Sequence, residues 1–224
     1  MAEQLRTTSV VDAVEEAVRH RILMGEDAPG ATVTEVAVAS RFGVGRPTAK
    51  AAVDRLVADG LLVRDGRRGS VVAEMGPDDV ADLYDSRLVI ERHVHGRLAD
   101  AAHVPADATL ANTALRHGAT LSDAALVVAS DVDFHRALIV ADGSSRLQRM
   151  HSALMAEAHV CMARVQANQL LRAEVIADEH DTILRRIGAG DRPGAEAATE
   201  LHLRHARDKL RDMITGSAAP VAGQ

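Results

Sequence analysis

Apolar residues return at helical spacing along most of the 224-residue chain. In residues 8–24 they recur every four positions and form one face, made of Val10, Val14, Val18 and Ile22. This spacing predicts an amphipathic helix, with Thr8 or Ser9 as its N-cap and Gly25 at its end.

A short helix, a tight turn and a second helix are predicted in residues 34–60. Thr34 is placed to cap the first helix, which extends to about Arg41. The turn "FGVG" comes next, and Gly43 suits a left-handed conformation there. Pro47 then opens the second helix, because proline fits the first turn of a helix.

A hairpin completes this part of the chain. Two β-prone runs, 61–63 and 70–73, flank a polar turn that contains Asp65 and Gly66. The order helix, short helix, turn, helix, hairpin is that of a winged helix-turn-helix, which we assign to residues 1–74.

Every long segment beyond residue 74 has helical periodicity. The predicted helices cover about 78–103, 106–117, 121–141, 144–168, 171–188 and 191–214. The predicted fold is therefore mainly α, with the winged helix-turn-helix followed by an all-α helical bundle over residues 80–215. Residues 75–79 are predicted as a linker and residues 216–224 as a disordered tail.

The composition agrees with closely packed helices. Apolar residues make up 47 % of the chain and charged residues 26 %, and the aromatic residues are Phe42, Tyr84 and Phe134. The single cysteine, Cys161, excludes an intrachain disulfide and a cysteine-rich zinc site. We expect that the N-terminal residues do not form a signal peptide, and no apolar run has the length of a membrane span. We therefore expect a cytoplasmic protein with no membrane partner.

The net charge of −6 hides a basic segment that suits DNA. Residues 41–68 contain seven basic and three acidic side chains, a net charge of +4. In a helix-turn-helix the second helix enters the major groove, where its first turn reaches bases and phosphates. The candidate DNA contacts are Arg46, Thr48, Lys50 and Arg55 of this helix and Arg67, Arg68 and Gly69 of the wing. A lone basic residue also fits a solvated helix face, but the combination of turn, helix and basic wing favours DNA binding.

Residues 10–74 resemble the DNA-binding domain of the GntR family of transcriptional regulators. The family's loop, turn, helix and wing motifs are matched by Ile22, Gly25, Pro29, Gly30, Gly43, Val44, Arg46, Leu56, Gly60, Leu61 and Gly69. Three positions depart from the pattern: Gly45 replaces a small hydroxyl residue, Lys50 an arginine, and Ala51 an acid. Because lysine lacks the bidentate guanidinium fork, Lys50 is expected to contact phosphate.

One acid and three histidines lie on helix faces that are predicted to point inward. Asp131 and His135 are four residues apart and share a face. His180 lies on the apolar face of its helix, and His202 shares a face with alanines and His205. Nitrogen and oxygen ligands of this kind suit zinc, nickel, manganese or iron. Spacing alone leaves open whether Asp131 and His135 are metal ligands or a surface ion pair.

Residues 78–213 resemble the FCD domain, the all-helical effector-binding partner of the FadR branch of GntR regulators. The matching stretches are "LYDSRLVIERHV", "DVDFHRALIVADGSSRL" and "EHDTILRRIGAGDRPGAEAATELHLRHA". The family's metal-binding pattern falls on Asp131, His135, His180 and His202, so the resemblance implies a divalent metal ion held there. Zinc is the first choice, and nickel, manganese or iron are the others. Seven other histidines are interpreted as exposed or hydrogen-bonded: His20, His93, His95, His103, His117, His151 and His159.

The same resemblance implies a small carboxylate effector. A six-coordinate ion with four protein ligands keeps positions that a carboxylate oxygen can fill. Arg87 matches the arginine that lines the effector cavity in the family and would complete a clamp on the carboxylate. The alternative is that Arg87 forms a structural salt bridge with Glu91, four residues further on.

Together these features predict a transcriptional regulator, and more specifically a repressor, rather than an enzyme. A homodimer would bind a pseudo-palindromic operator, and a small organic acid would change its operator affinity. Two alternatives remain open: a metal-dependent enzyme acting on a small organic acid, and a DNA-binding protein with a purely structural metal. No HExxH motif, nucleophile elbow or P-loop occurs in the sequence, which counts against the enzyme.

Overall fold

Two units make up the chain, Met1–Glu74 and Met75–Gln224, and each has its own set of internal contacts. The structure, a computed structural model, describes residues 9–23, 25–66, 69–167 and 172–216. The mainly α fold predicted from the sequence is confirmed, with a winged helix-turn-helix in the first unit and a helical bundle in the second.

The first unit contains three helices and three strands within its described residues. They are α1 (Val10–Leu23), β1 (Thr32–Val33), α2 (Glu35–Phe42), α3 (Arg46–Ala58), β2 (Leu62–Asp65) and β3 (Gly69–Val72). The strands form an antiparallel sheet in the order β1-β3-β2. The predicted wing residues Arg67 and Arg68 lie outside the described residues.

Local chemistry sets the turn between α2 and α3. The Thr34 hydroxyl accepts a hydrogen bond from the backbone N–H of Ala37 at 3.1 Å and caps α2, as its sequence position predicts. Gly43 ends α2 in the left-handed region, at φ 64°. A side chain there would be strained, which is why a glycine follows Phe42.

Strand β1 is the one element of the first unit's described residues that the sequence pattern does not predict. It consists only of Thr32 and Val33, paired with Val71 and Ser70 of β3. A two-residue strand is too short to show an alternating pattern, so its pairing with the hairpin is visible only in three dimensions.

The second unit is built entirely of helices over its described residues. They are α4 (Pro77–Asp100), α5 (Ala106–Leu121), α6 (Ala124–Ala141), α7 (Ser145–Ala167), α8 (Ala173–Gly188) and α9 (Arg192–Ile214). Helix α4 packs along α9, and α5 packs along α6. A large apolar cluster between them includes Val94, Phe134, Leu138, Ile183 and Ile187. Among the residues that the structure describes, no helix is both long and apolar enough to cross a bilayer.

Most helix boundaries lie within three residues of the sequence prediction, and two of the differences have a local cause. Helix α4 begins at Pro77, inside the predicted linker 75–79, because the Asp79 carboxylate accepts a hydrogen bond from the N–H of Gly76 and caps the helix. Helix α5 continues past Gly118, which the sequence marks as a break. A Cβ at Gly118 would lie 3.1 Å from Val127, so this glycine allows α5 and α6 to approach closely.

Candidate functional site

Four residues that the sequence selects as metal ligands come together inside the helical unit. They are Asp131, His135, His180 and His202, each with at most 6 % of its surface exposed. One ligand atom from each lies within 4.8 Å of the other three. Helix α6 contributes two of them one turn apart, and α8 and α9 contribute one each.

The spacing of these atoms fits a divalent ion of the first transition row. Nε2 of His135 lies 3.2 Å from Nε2 of His202. Nε2 of His180 lies 3.4 Å from a carboxylate oxygen of Asp131. An ion bonded at about 2.0–2.2 Å to each ligand places neighbouring ligand atoms roughly 3–4 Å apart. The residues present therefore fit a metal.

Each histidine is oriented by an oxygen on its other ring nitrogen. The Nδ1 partners are Glu91 for His135 at 2.7 Å, Glu179 for His202 at 2.8 Å and Asn112 for His180 at 3.2 Å. An ionised carboxylate only accepts hydrogen bonds, as does the amide oxygen of Asn112, so each Nδ1 carries the proton. The Nε2 lone pairs are thereby directed to the centre of the cluster, an arrangement typical of metal-bound histidine.

The orientation of Asn112 is itself fixed. Its amide nitrogen donates to the carbonyl oxygen of Ala177 at 3.0 Å and to the Asp181 carboxylate at 2.7 Å. Only the amide oxygen is then available to His180, which makes His180 Nδ1 the donor. Phe134 stacks on the face of the same imidazole, with nearly parallel rings whose centroids are 3.6 Å apart.

Several lone pairs face one another in this cluster. With both Nδ1 atoms protonated, the Nε2 atoms of His135 and His202 repel at 3.2 Å unless a proton or a metal ion lies between them. Nε2 of His180 has no hydrogen-bond partner among the described residues. Burial lowers the pKa of His135, and it lowers the pKa of His180 well below its ordinary value, so both rings are neutral and able to bind a cation.

A buried salt bridge lies next to the four ligands. Nε of Arg87 donates to Glu91 at 2.8 Å, and both side chains are fully buried. Burial would raise the pKa of Glu91, but the charge of Arg87 and the interactions with His135 and His151 together outweigh it and hold that pKa well below the usual range. The salt bridge predicted as the alternative role of Arg87 is thus present. However, the two terminal nitrogens of Arg87 have no hydrogen-bond partner in the described part of the chain.

The sequence prediction misses the residues that support the ligands. Glu91 and His95 continue the four-residue spacing from Arg87 along α4, a signal that could have identified them. His151, on α7, donates from Nε2 to Glu91 at 3.1 Å. Glu179 could not be found this way, because it lies on α8 and bonds residues of α9. His95 and His151 are hydrogen-bonded, as predicted, but both are buried in the cluster.

The candidate DNA contacts of α3 differ in how freely they can reach a partner. Arg46 is exposed at the first position of the helix and forms no ion pair with any residue that the structure describes. Thr48, two residues further along α3, is half-buried. Lys50 is exposed and pairs with Asp54 at 2.5 Å, and Asp54 also pairs with Arg64 of β2. Gly69 begins β3 with φ 94°, which favours glycine.

Arg55 lies against α1. One of its nitrogens lies 2.6 Å from the Asp12 carboxylate and 3.1 Å from that of Glu15. The neighbouring Arg19 pairs with Glu15 and with Asp59 in the same way. These partly exposed ion pairs join α1 to α3, so the structure gives Arg55 a packing role that the sequence does not suggest.

Two family models match the chain, one in each unit. Residues 10–72 match the family described as "Bacterial regulatory proteins, gntR family". Residues 82–205 match the family described as "FCD domain". The four clustered ligands all lie within the second match.

Curated relatives and solved structures agree with these matches. A protein of Paenarthrobacter nicotinovorans named "Probable D-xylose utilization operon transcriptional repressor" is 26% identical over 204 residues, 90% of this chain and 89% of that protein. The "HTH-type transcriptional repressor NanR" of Klebsiella aerogenes is 26% identical over 213 residues, 86% and 82% of the two chains. The crystal structure of a putative transcriptional regulator GntR from Rhodococcus sp. RHA1 has the same fold. It superposes with a TM-score of 0.80 at 22% identity, over 93% of this chain and 99% of that chain.

Proposed function

Because the chain belongs to the gntR family of bacterial regulatory proteins and carries an FCD domain, we propose that it is a ligand-responsive transcriptional repressor. The first unit binds operator DNA, and the second binds a divalent metal and a small carboxylate effector. Relatives that match most of the chain are named as transcriptional repressors, which supports repression of transcription over activation. The observation that carries the sensing role is the buried cluster of one carboxylate and three oriented histidines.

The DNA contacts come from the start of α3 and from the wing. Arg46 has the exposure and the free guanidinium needed to reach a base edge or a phosphate. Lys50 exchanges an exposed ion pair with Asp54 for a phosphate at little cost, since such pairs contribute about 0–1 kcal/mol. Thr48, Arg67, Arg68 and Gly69 complete the proposed surface. Arg55 contributes by holding α3 on α1.

The metal site is proposed from the chemistry of its donors. Three imidazole nitrogens and one carboxylate suit zinc, and nickel, manganese or iron are the alternatives. Glu91, Asn112 and Glu179 would hold the ligand histidines in the binding tautomer and orientation. When bound, the ion supplies a Lewis-acidic position that accepts a carboxylate oxygen.

Arg87 is proposed to bind the effector carboxylate directly. Its Nε is fixed by Glu91, so the guanidinium is held in one orientation before the effector arrives. Its two terminal nitrogens are buried and lack hydrogen-bond partners among the residues described. A carboxylate is the natural acceptor for two parallel N–H donors, and it would satisfy both.

Regulation follows from thermodynamic linkage. If the effector lowers operator affinity by some factor, the operator lowers effector affinity by the same factor. A homodimer that reads two half-sites is proposed from the family and from the symmetry of helix-turn-helix recognition.

A gel-shift titration tests the proposal. We expect the metal-loaded protein to bind its operator, and at least one acid in a carboxylate panel to shift that affinity, with the shift lost after metal removal. If no acid changes operator binding, the alternative of a DNA-binding protein with a purely structural metal is favoured. Turnover of an acid would support the enzyme.

Replacing Arg46 by alanine tests the DNA-binding surface. We expect the loss of a base or phosphate contact to weaken specific binding by about 1–3 kcal/mol. Arg149→Ala, which removes an exposed charge from the helical unit, is the matched control. Equal operator affinity of the two variants would refute the assignment of α3 as the recognition helix.

A further inference from the structure

The side chains in and around the buried cluster differ in their exposure to solvent. His135 and His180 have no exposed side-chain surface, and His202 has 5 %. Glu179, which bonds His202, is 17 % exposed, and His205, which bonds Glu179, is 51 % exposed. Exposure therefore rises stepwise along one hydrogen-bonded chain of side chains, from the buried ligands to the surface.

Glu179 joins two histidines of α9 that lie three residues apart on one face. Its carboxylate oxygens accept from Nδ1 of His202 at 2.8 Å and from Nδ1 of His205 at 2.6 Å. With both Nδ1 atoms committed to Glu179, each neutral ring has only Nε2 left for a metal ion. Nε2 of His202 lies in the cluster, 3.2 Å from Nε2 of His135. His205 therefore offers a further metal-binding nitrogen from an exposed side chain.

The residues that α4 contributes to the surroundings of the cluster do not suit the passage of a cation. Arg87, Glu91 and His95 have none of their surface exposed, and Arg87 carries a permanent positive charge. Asp131 is 8 % exposed, but its ion-pair contacts lead inward, to two of the other ligands. The exposed end of the cluster is therefore the one formed by α8 and α9.

Helix α8 adds negative charge at this end. Asp178 and Asp181, which precede and follow Glu179 in the sequence, are both exposed. Arg116 of α5 pairs with both of them, which leaves three carboxylates against one guanidinium. A local excess of negative charge raises the concentration of cations nearby and speeds their arrival.

We propose that Glu179 and His205 form the route by which the metal ion enters and leaves the buried cluster. This inference rests on the proposed metal site. His205 offers the first protein ligand at the surface, and Glu179 supplies negative charge between His205 and His202. Burying a divalent ion is costly unless protein ligands replace its hydration, and a buried site needs an entry path. The chain from His205 through Glu179 to His202 supplies these ligands one after another.

A residue of the route has a kinetic signature that a supporting residue lacks. His205 is not one of the four proposed ligands, so damage to the route alone leaves the affinity of the site unchanged. Uptake and release must then slow by the same factor, since the ratio of their rate constants is the dissociation constant. A side chain that only supports His202 would instead weaken affinity and speed release.

Stopped-flow mixing of the metal-free full chain with zinc and an indicator dye measures uptake, and a chelator chase measures release. His205→Gln keeps a hydrogen-bond donor for Glu179 but removes the imidazole nitrogen. We expect both rates to fall about 10-fold, with nearly unchanged zinc affinity. His93→Gln, the same change at an exposed histidine of α4, is the matched control and should keep both rates.

The outcomes separate the route from the site itself. Equal uptake rates in His205→Gln and His93→Gln would overturn the route and leave the metal site standing. Faster release from His205→Gln with weaker zinc affinity would also overturn it, because His205 would then act by supporting His202. A full chain that binds no zinc at equilibrium would overturn both the route and the proposed zinc site.

Discussion

Two groups of residues in this chain both pair arginine with acidic side chains, but they differ in their exposure to solvent. Between α1 and α3, Arg19 and Arg55 pair with Asp12, Glu15 and Asp59 at a seam that is partly exposed to solvent. Inside the helical unit, Arg87, Glu91 and the surrounding histidines form a cluster with almost no exposure. Exposed pairs are hydrated and screened by salt, whereas a buried charge must be satisfied by its neighbours.

This contrast shows where the chain can hold a specific small ligand. The partly exposed seam can rearrange at little cost, and it lies beside a surface proposed to exchange ion pairs for phosphates. In the buried cluster, Glu91 fixes Arg87 and His135, and Glu179 fixes His202. Some atoms there have no hydrogen-bond partner among the residues that the structure describes, such as Nη1 and Nη2 of Arg87 and Nε2 of His180. They are held in place and point to ligands.

Removing Glu91 should have the largest effect on stability. Glu91→Ala leaves the buried guanidinium of Arg87 without its counter-charge, and breaking a buried pair on one side costs about 3–5 kcal/mol. We expect a loss of this size in the free energy of unfolding of the helical unit, measured by urea denaturation of the metal-free protein. Using metal-free protein separates the salt bridge from metal binding. A loss below about 1 kcal/mol, the range of exposed pairs, would show that the buried cluster does not differ from the seam.

Changing Glu179 should have an intermediate effect, on metal affinity. Its carboxylate accepts from His202 at 2.8 Å and from His205 at 2.6 Å. Burial would raise the pKa of Glu179, but these two hydrogen bonds lower it, so it orients His202 as an anion. We expect Glu179→Gln to weaken zinc binding about 10-fold to 100-fold in a competition titration with a chelator.

His205→Ala is the matched control for that variant. It removes the outer partner of Glu179 but keeps the bond to His202, so we expect a smaller loss of metal affinity. Equal zinc affinity of Glu179→Gln and the unmodified protein would mean that this carboxylate does not support the ligand.

Asp54→Asn should have the smallest effect on stability. The variant breaks exposed pairs with Lys50 and Arg64, so the free energy of unfolding of the first unit should change by less than about 1 kcal/mol. It also frees two cations beside the recognition helix, and operator affinity should rise at low salt. Weaker operator binding with unchanged stability would mean that Asp54 helps to orient Lys50 for DNA.

Most of the fold and the clustering of the four proposed ligands could be predicted because they leave periodic signals. Asp131 and His135 repeat at one helical turn, and His180 and His202 interrupt faces that are otherwise apolar or small. Strand β1 and the continuation of α5 past Gly118 could not be predicted, since both depend on contacts between segments distant in sequence.

The supporting residues of the site were harder to predict for the same reason. Glu91 could be interpreted from sequence as the partner of Arg87, but its bond to His135 joins two helices. His95 belongs to the same stripe of α4, yet its hydrogen bond to Thr199 joins α4 to α9 and becomes visible only in three dimensions. Spacing along one helix predicts on which face a residue lies, whereas its hydrogen-bond partner on another helix is known only from the packing of the helices.

Metal analysis of the purified protein tests the central claim that the buried cluster is a metal site. We predict about one divalent ion per chain in the unmodified protein, as in ordinary four-ligand sites, and a sharp fall in His180→Ala. His93→Ala, an exposed histidine of the same unit, should keep the full content. Circular dichroism would verify that the variants are folded. An unchanged metal content in His180→Ala, or unmodified protein that binds no ion when zinc, nickel, manganese and iron are supplied, would contradict the account.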